Sequence, residues 1–255
     1  KIMTTSIEKL NRSDLALLCS SGFFTCYGVK NLACWALSKY TQFYPQMDEK
    51  KRNLTDLYAV SFLNSILITA VGAYKLYSRY VIEKKNEKNT IRGGDDDDDV
   101  KETYSGNGVF QIASALETGY FLHDVFATRA IWMENRSDLF HHLGAFFVSI
   151  PLACVRTSLL DQLPAERFFI MEGSTIPLNL SWLLRTSGAS PFLSVILTRI
   201  FALAFFALRI VFLPHTLYRM ETSKQGQLFS KMQTARAATY ILTGLQFYWF
   251  YLIMQ

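Results

Sequence analysis

Long apolar runs separated by short polar ones dominate this chain. A helix needs about 20 mainly apolar residues to cross a hydrocarbon core. Six stretches reach that length, at about 15–40, 54–77, 108–132, 137–160, 191–213 and 237–254. A seventh, about 168–185, falls short and is broken by Gly173 and Pro177. Strict apolar–polar alternation is absent, which excludes a membrane β-barrel. In lipid an open chain can satisfy its own backbone polar groups only as helix. The pattern therefore predicts an all-α fold, a polytopic transmembrane helix bundle of six or seven spans. A flank at 1–14 precedes one transmembrane domain at 15–255, which carries a polar acidic loop at about 78–107.

Composition agrees with that pattern. Half of the residues are hydrophobic and only 18% are charged, against about a quarter in soluble proteins. The formal net charge of +5 comes from Lys and Arg that mostly flank the apolar runs, where they read as membrane anchors. No basic stripe with interleaved aromatics is present, so nucleic acid is not an expected partner. If the short segment crosses fully, the N-terminus, the 78–107 loop, the 156–167 loop and the 219–236 stretch share one face. That face is richer in Lys and Arg and is expected to lie toward the cytosol or its equivalent. Cys19, Cys26, Cys34 and Cys154 all fall inside apolar runs without a CxxC or Cys/His spacing. They read as small hydrophobes, and no metal site is expected. Lys30 interrupts the first apolar run, which also lacks a small-residue cleavage site, so a secretory signal peptide is not indicated.

Chemistry is expected where ionisable groups enter apolar segments, because each is costly there unless it has a partner. Glu117, Tyr120 and Asp124 stand at i, i+3 and i+7 and so share one helical face. His123 lies about 100° round the helix from Asp124. The next stretch opens with a likely cap at Ser137, then Asp138, then His141-His142. Adjacent residues point in different directions, so one of the two histidines is expected to face any given pocket. Glu172, Thr175, Asn179 and Trp182 form a further polar face on the short segment. Together these groups predict an intramembrane polar pocket suited to proton or acyl transfer on a lipid, with imidazole as base or nucleophile and a carboxylate orienting it. The competing expectation is that the same groups brace one another as structural glue between helices.

The order GYFLHD (119–124), DLFHH (138–142) and EGSTIPLNLSWLLR (172–185) resembles the TLC-domain family, which includes the ceramide synthases, over roughly residues 54–255. The resemblance implies a compact bundle of about six to eight helices. It further implies transfer of a fatty acyl group from coenzyme A to a sphingoid base, with acyl-CoA as substrate and no cofactor. By the same resemblance His141 and His142 are the catalytic pair, with Asp124 the favoured acidic partner over Asp138. Glu117, Tyr120, His123, Glu172, Asn179 and Trp182 would line the pocket. The chain departs from the synthase pattern at Ala145, where synthases carry Thr, and in the bland run LGAFFVSIPLACVRTSLL that follows the His pair. It is therefore closer to the non-synthase members. Membrane lipids are the expected partners, and the second reading is an accessory subunit that associates with other membrane-protein subunits. The family default is the endoplasmic reticulum, and the mitochondrial inner membrane is the alternative.

The remaining features carry less. Five consecutive aspartates, Asp95–Asp99, lack the spaced ligands of a calcium loop and read as solvated. The Asn-x-Ser/Thr matches at Asn11, Asn53, Asn135 and Asn179 carry no weight. Arg199 and Arg209 are expected to pair with a carboxylate of a neighbouring helix rather than with a lipid headgroup.

Overall fold

The first apolar run forms α1 (Arg12–Tyr40). In the computed structural model, which describes residues 12–91, 107–127, 136–154, 165–222, 229 and 231–255, a 3₁₀ turn (Tyr44–Gln46) connects α1 to α2 (Glu49–Ile91). Pro45 opens the turn, and Tyr44 Oη donates to Asp56 Oδ1 at 2.8 Å, which pins it against α2. Asp48 caps α2 by accepting from the Lys51 N–H at 2.8 Å, and Glu49 adds a second carboxylate at the positive end of the helix.

The polar loop expected from about residue 78 is helix up to Ile91. The 43 residues of α2 give it a length of roughly 65 Å. Beyond the apolar part come Glu83, Lys84, Lys85, Glu87 and Lys88, all strong helix formers, and no Gly or Pro stands before Gly93. Hydrophobicity locates the bilayer but does not end a helix. The run Asp95–Asp99, the 155–164 connection and most of the N-terminal flank lie outside the described residues.

The third and fourth stretches form α3 (Asn107–Ala127) and α4 (Arg136–Cys154). The short segment is a bent rod, with α5 (Glu166–Met171), one 3₁₀ turn (Glu172–Ser174) and then α6 (Thr175–Ser187). Gly188 ends α6 at φ 67°, a left-handed position that glycine adopts without strain, with its N–H returned to Arg185 and Leu184 carbonyls. Ser190 then caps the next helix with Pro191 in its first turn. That helix, expected to stop before Pro214, instead runs on as α7 (Pro191–Phe205), a π-helical stretch (Phe206–Phe212) and α8 (Leu213–Thr222). Pro214 has no N–H and its ring crowds the carbonyl one turn earlier, and a widened turn accommodates both faults without breaking the helix. The last helix is α9 (Gln233–Ile253).

Cross-helix contacts fix the directions. Tyr58 meets Trp182, Ser61 meets Asn179 and Arg79 meets Glu166, so α5–α6 runs antiparallel to α2 from one end of the bundle to the other. By the same reasoning α3 opposes α2 through Glu117–Asn64, α4 opposes α3 through Ser149–Thr118, and α9 opposes α4 through Trp249–Ser137. One end therefore gathers the start of α2, the end of α3, the start of α4 and the end of α9. The other gathers Arg79, Glu166, Arg219 and Arg236, which belong to stretches assigned to the Lys/Arg-rich face. Outside this ring α1 leans on α3 at a glycine crossing so close that a Cβ on Gly119 would collide with the Cys19 carbonyl oxygen.

The basic half is filled by Ile68, Phe110, Phe169, Leu213 and Leu217. Outward faces stay apolar: Phe192 is 77% and Leu203 71% exposed on α7, which suits lipid rather than water. Among the described residues two helical segments are long and apolar enough to cross a membrane, Glu49–Ile82 and Pro191–Thr222.

Candidate functional site

The half of the bundle opposite the basic end is hollow. A cavity of about 430 Å³ lies there, bounded by all of the ring helices: α2, α3, α4, the bent α5–α6 rod, α7 and α9. Its walls are apolar where Leu57, Phe121, Leu178 and Phe205 face it, and polar where titratable groups do. Asp124 reaches it from the last turn of α3. Asp138, His141 and His142 reach it from the first two turns of α4.

Both histidines line this one cavity, contrary to the expectation that a pocket would see a single member of the pair. They are about 100° apart on the helix, but the cavity wraps the inner face of α4 widely enough to meet both rings. The rings stand 5.4 Å apart, nearly perpendicular. His142 Nδ1 lies 3.0 Å from Asp124 Oδ2, at ion-pair distance though off the alignment of a hydrogen bond. His141 lies with its ring 5.0 Å from that of Trp249, whose indole N–H donates to Ser137 Oγ at 3.1 Å.

The opposite wall carries a guanidinium hub that the sequence reading did not place in the pocket. Arg209 is 6% exposed and sits in the π-helical stretch, whose widened turn carries its side chain into the bundle. Its Nε donates to Ser174 Oγ at 2.8 Å, and its Nη2 donates to Thr175 Oγ1 at 3.0 Å and to Glu172 Oε1 at 3.1 Å. Nη1 stands 3.4 Å from Gln246 Oε1. The expectation of a carboxylate partner from a neighbouring helix holds for Arg209, whereas Arg199 is exposed. The signal that could have placed Arg209 in the site was the one used for Glu117: an ionisable residue in an apolar helix.

The other candidates divide. Tyr120, Glu172 and Asn179 line the main cavity, and Asn179 Nδ2 donates to Ser61 Oγ at 2.9 Å. Trp182 is one layer out, stacked on the cavity residue Tyr58 with ring centroids 4.3 Å apart. Glu117 lines a smaller cavity of about 80 Å³ that shares Phe121, His141, Glu172 and Arg209 with the first, and accepts from Asn64 Nδ2 at 2.9 Å. His123 does not join the site. It is 3% exposed and packs edge-on against Phe23 of α1, ring centroids 5.6 Å apart. Its position beside Asp124 in sequence turns it to the other side of α3. Ala145, where synthases carry Thr, is buried in an apolar cluster with Val60, Tyr120 and Phe121. Among the described residues no group of three or more His, Cys, Asp or Glu is placed to hold a metal ion.

The site is thus an imidazole–carboxylate pair and a guanidinium hub on the walls of one largely apolar cavity inside a helical bundle. The family model of the TLC domain matches residues 56–255, and the chain belongs to that family of membrane proteins with lipid-related functions. The match begins within α2 and takes in every residue of the main cavity except Leu54. No curated protein and no solved structure matches the chain.

Proposed function

We propose that the protein binds a lipid in the intramembrane cavity and acts on its polar end, with acyl transfer from a coenzyme A thioester as the reaction this geometry supports best. The observation that carries this reading is His142 facing the cavity with its Nδ1 3.0 Å from Asp124 Oδ2. A carboxylate at Nδ1 holds the proton there and leaves Nε2 as the base, the division of labour that a general-base histidine needs. In the proposed step a lipid amine or hydroxyl attacks the thioester carbonyl as His142 Nε2 takes its proton. The C–S bond then breaks, and the imidazolium returns the proton to the leaving thiolate. The apolar walls would receive the acyl chain. Seven helical passes of alternating direction, α5–α6 among them, fit a seven-span arrangement with the basic end toward the cytosol.

The test is turnover of the chain reconstituted in bilayers with a long-chain acyl-CoA and a long-chain amine. His142→Ala is expected to abolish product, at least 100-fold, while the protein stays monodisperse in detergent. Full activity in that variant sinks the mechanism. A second reading, a non-catalytic accessory subunit of a larger membrane complex, is favoured by Ala145, whose methyl packs where the synthases carry a hydroxyl. No turnover by the native protein, together with extraction at fixed stoichiometry in a large complex, decides for it.

A further inference from the structure

The basic end of the bundle holds a second cavity, about 610 Å³, remote from the His pair. It lies between α2, α5 and α8, and three guanidinium groups line it: Arg79, Arg167 and Arg219. A single carboxylate, Glu166, stands among them and pairs with Arg79 at 3.1 Å. The local balance is therefore strongly positive. Arg219 and Arg79 both press like charge on Arg167, and Glu166 only partly offsets it. Arg167 Nε is buried with no hydrogen-bond partner among the described residues, and its head rests 5.3 Å above the Phe212 ring. Bringing like-charged guanidinium groups together in a partly desolvated site is costly unless an anion completes it.

Depth narrows the ligand. Arg79 lies one turn before the end of the apolar segment Glu49–Ile82, and Arg219 one turn before the end of Pro191–Thr222. Tyr77 and Tyr80, which also line the cavity, are 67% and 57% exposed, as tyrosines are in the aromatic belt of a membrane interface. The cavity thus sits at headgroup level, on the Lys/Arg-rich face. We infer that it is a binding site for a phosphate group, that of an anionic phospholipid in the leaflet at the basic end, gripped by Arg167 and Arg219 with Arg79–Glu166 as its floor. Guanidinium forks match phosphate oxygens in pairs, and anionic lipids are enriched on cytosolic leaflets.

The experiment is thermal unfolding and native mass spectrometry of the full chain in a neutral detergent. It receives phosphatidylglycerol, phosphatidylcholine or inorganic phosphate in separate arms at equal ionic strength. Phosphatidylglycerol is expected to raise the unfolding temperature and to remain bound at one copy. Arg167→Gln with Arg219→Gln should weaken that retention at least tenfold, while Arg199→Gln on the outer face of α7 leaves it unchanged. Arg167→Lys with Arg219→Lys keeps the charge and guards against a folding artefact; it should retain the lipid more weakly than the native chain and more strongly than the Gln pair. An equal, Arg-dependent response to inorganic phosphate would keep the phosphate site and reassign its ligand to a soluble phosphate compound. Binding of phosphatidylglycerol that the Gln pair does not weaken overturns the inference, and so does the absence of any response.

Discussion

The packed core of the basic half and the hollow half of the bundle are built from the same helices and use their polar groups differently. In the core of the basic half, between α3 and α4, polar atoms find one another directly: Thr118 Oγ1 lies 3.0 Å from Ser149 Oγ, and Gln111 Nε2 donates to the Ala153 carbonyl at 2.9 Å, while the open volume of that half lies apart, among Arg79, Arg167 and Arg219. Aromatic rings pack beside them, with the ring centroids of Phe110 and Phe169 4.4 Å apart. In the other half His142 and Asp124 pair at 3.0 Å and, with His141 and Asp138, also border open volume. Structural glue has no need of an adjacent cavity, because its groups exist to satisfy each other. The difference teaches that the chain keeps space beside its costliest groups, which is what a ligand site requires.

Arg209 links the halves, and its removal should have the largest effect. Arg209→Met withdraws the cation from Glu172 and the donors from Ser174 and Thr175, and stranding one member of a buried pair costs about 3–5 kcal/mol. Unfolding in detergent should show a loss of that order. Adding Glu172→Gln should return much of it, because the orphaned charge is then gone. A loss below about 1 kcal/mol would mean that water from the cavity solvates Glu172, and the hub would not be structural.

A paired truncation sharpens the contrast next. Ile68 is fully buried in the packed half, so Ile68→Ala opens a cavity that its neighbours cannot fill, at about 2–4 kcal/mol. Leu178 already borders the open cavity, and Leu178→Ala mainly enlarges it, at about 1 kcal/mol. Equal losses at the two positions would mean that the hollow half is filled in solution, by lipid or by collapse of the walls.

Much of this was legible in the sequence. The seven segments, the all-helical class and the family resemblance follow from the apolar runs and from the residues 119–124, 138–142 and 172–185. The continuation of α2 past Tyr77 was missed because the apolar pattern stops where the lipid would, whereas Glu83 to Lys88 sustain the helix by propensity alone. The helix through Pro214 was missed because a π-turn needs its own backbone neighbours to be seen. His123 and Arg209 show the same limit from two sides. His123 was read from a helical wheel and Arg209 from its place in an apolar run, and neither reading gives what stands opposite the side chain. His123 meets Phe23 of α1, whereas Arg209 meets Ser174, Thr175 and Glu172 from the bend at Gly173. That bend is a tertiary event.

The smallest effect is expected at the hairpin of α6 and α7, where polar groups pair without any cavity. Ser181 Oγ lies 2.9 Å from the Ser194 carbonyl oxygen and 2.8 Å from Thr198 Oγ1. Ser194 Oγ in turn donates to the Ser181 carbonyl at 3.1 Å. Ser181→Ala removes a donor without stranding its neighbours, since Thr198 Oγ1 still donates to the Ser194 carbonyl at 2.9 Å and Ser194 keeps its own acceptor. Interhelical hydrogen bonds in membranes average about 0.6 kcal/mol, and the variant should lose no more than about that in unfolding. Turnover or lipid retention should not change at all, because the hydroxyl faces a helix and not the cavity. A loss several times larger would mean that the α6–α7 contact holds Asn179 and Arg209 in position, and that the packed and hollow regions are one cooperative unit.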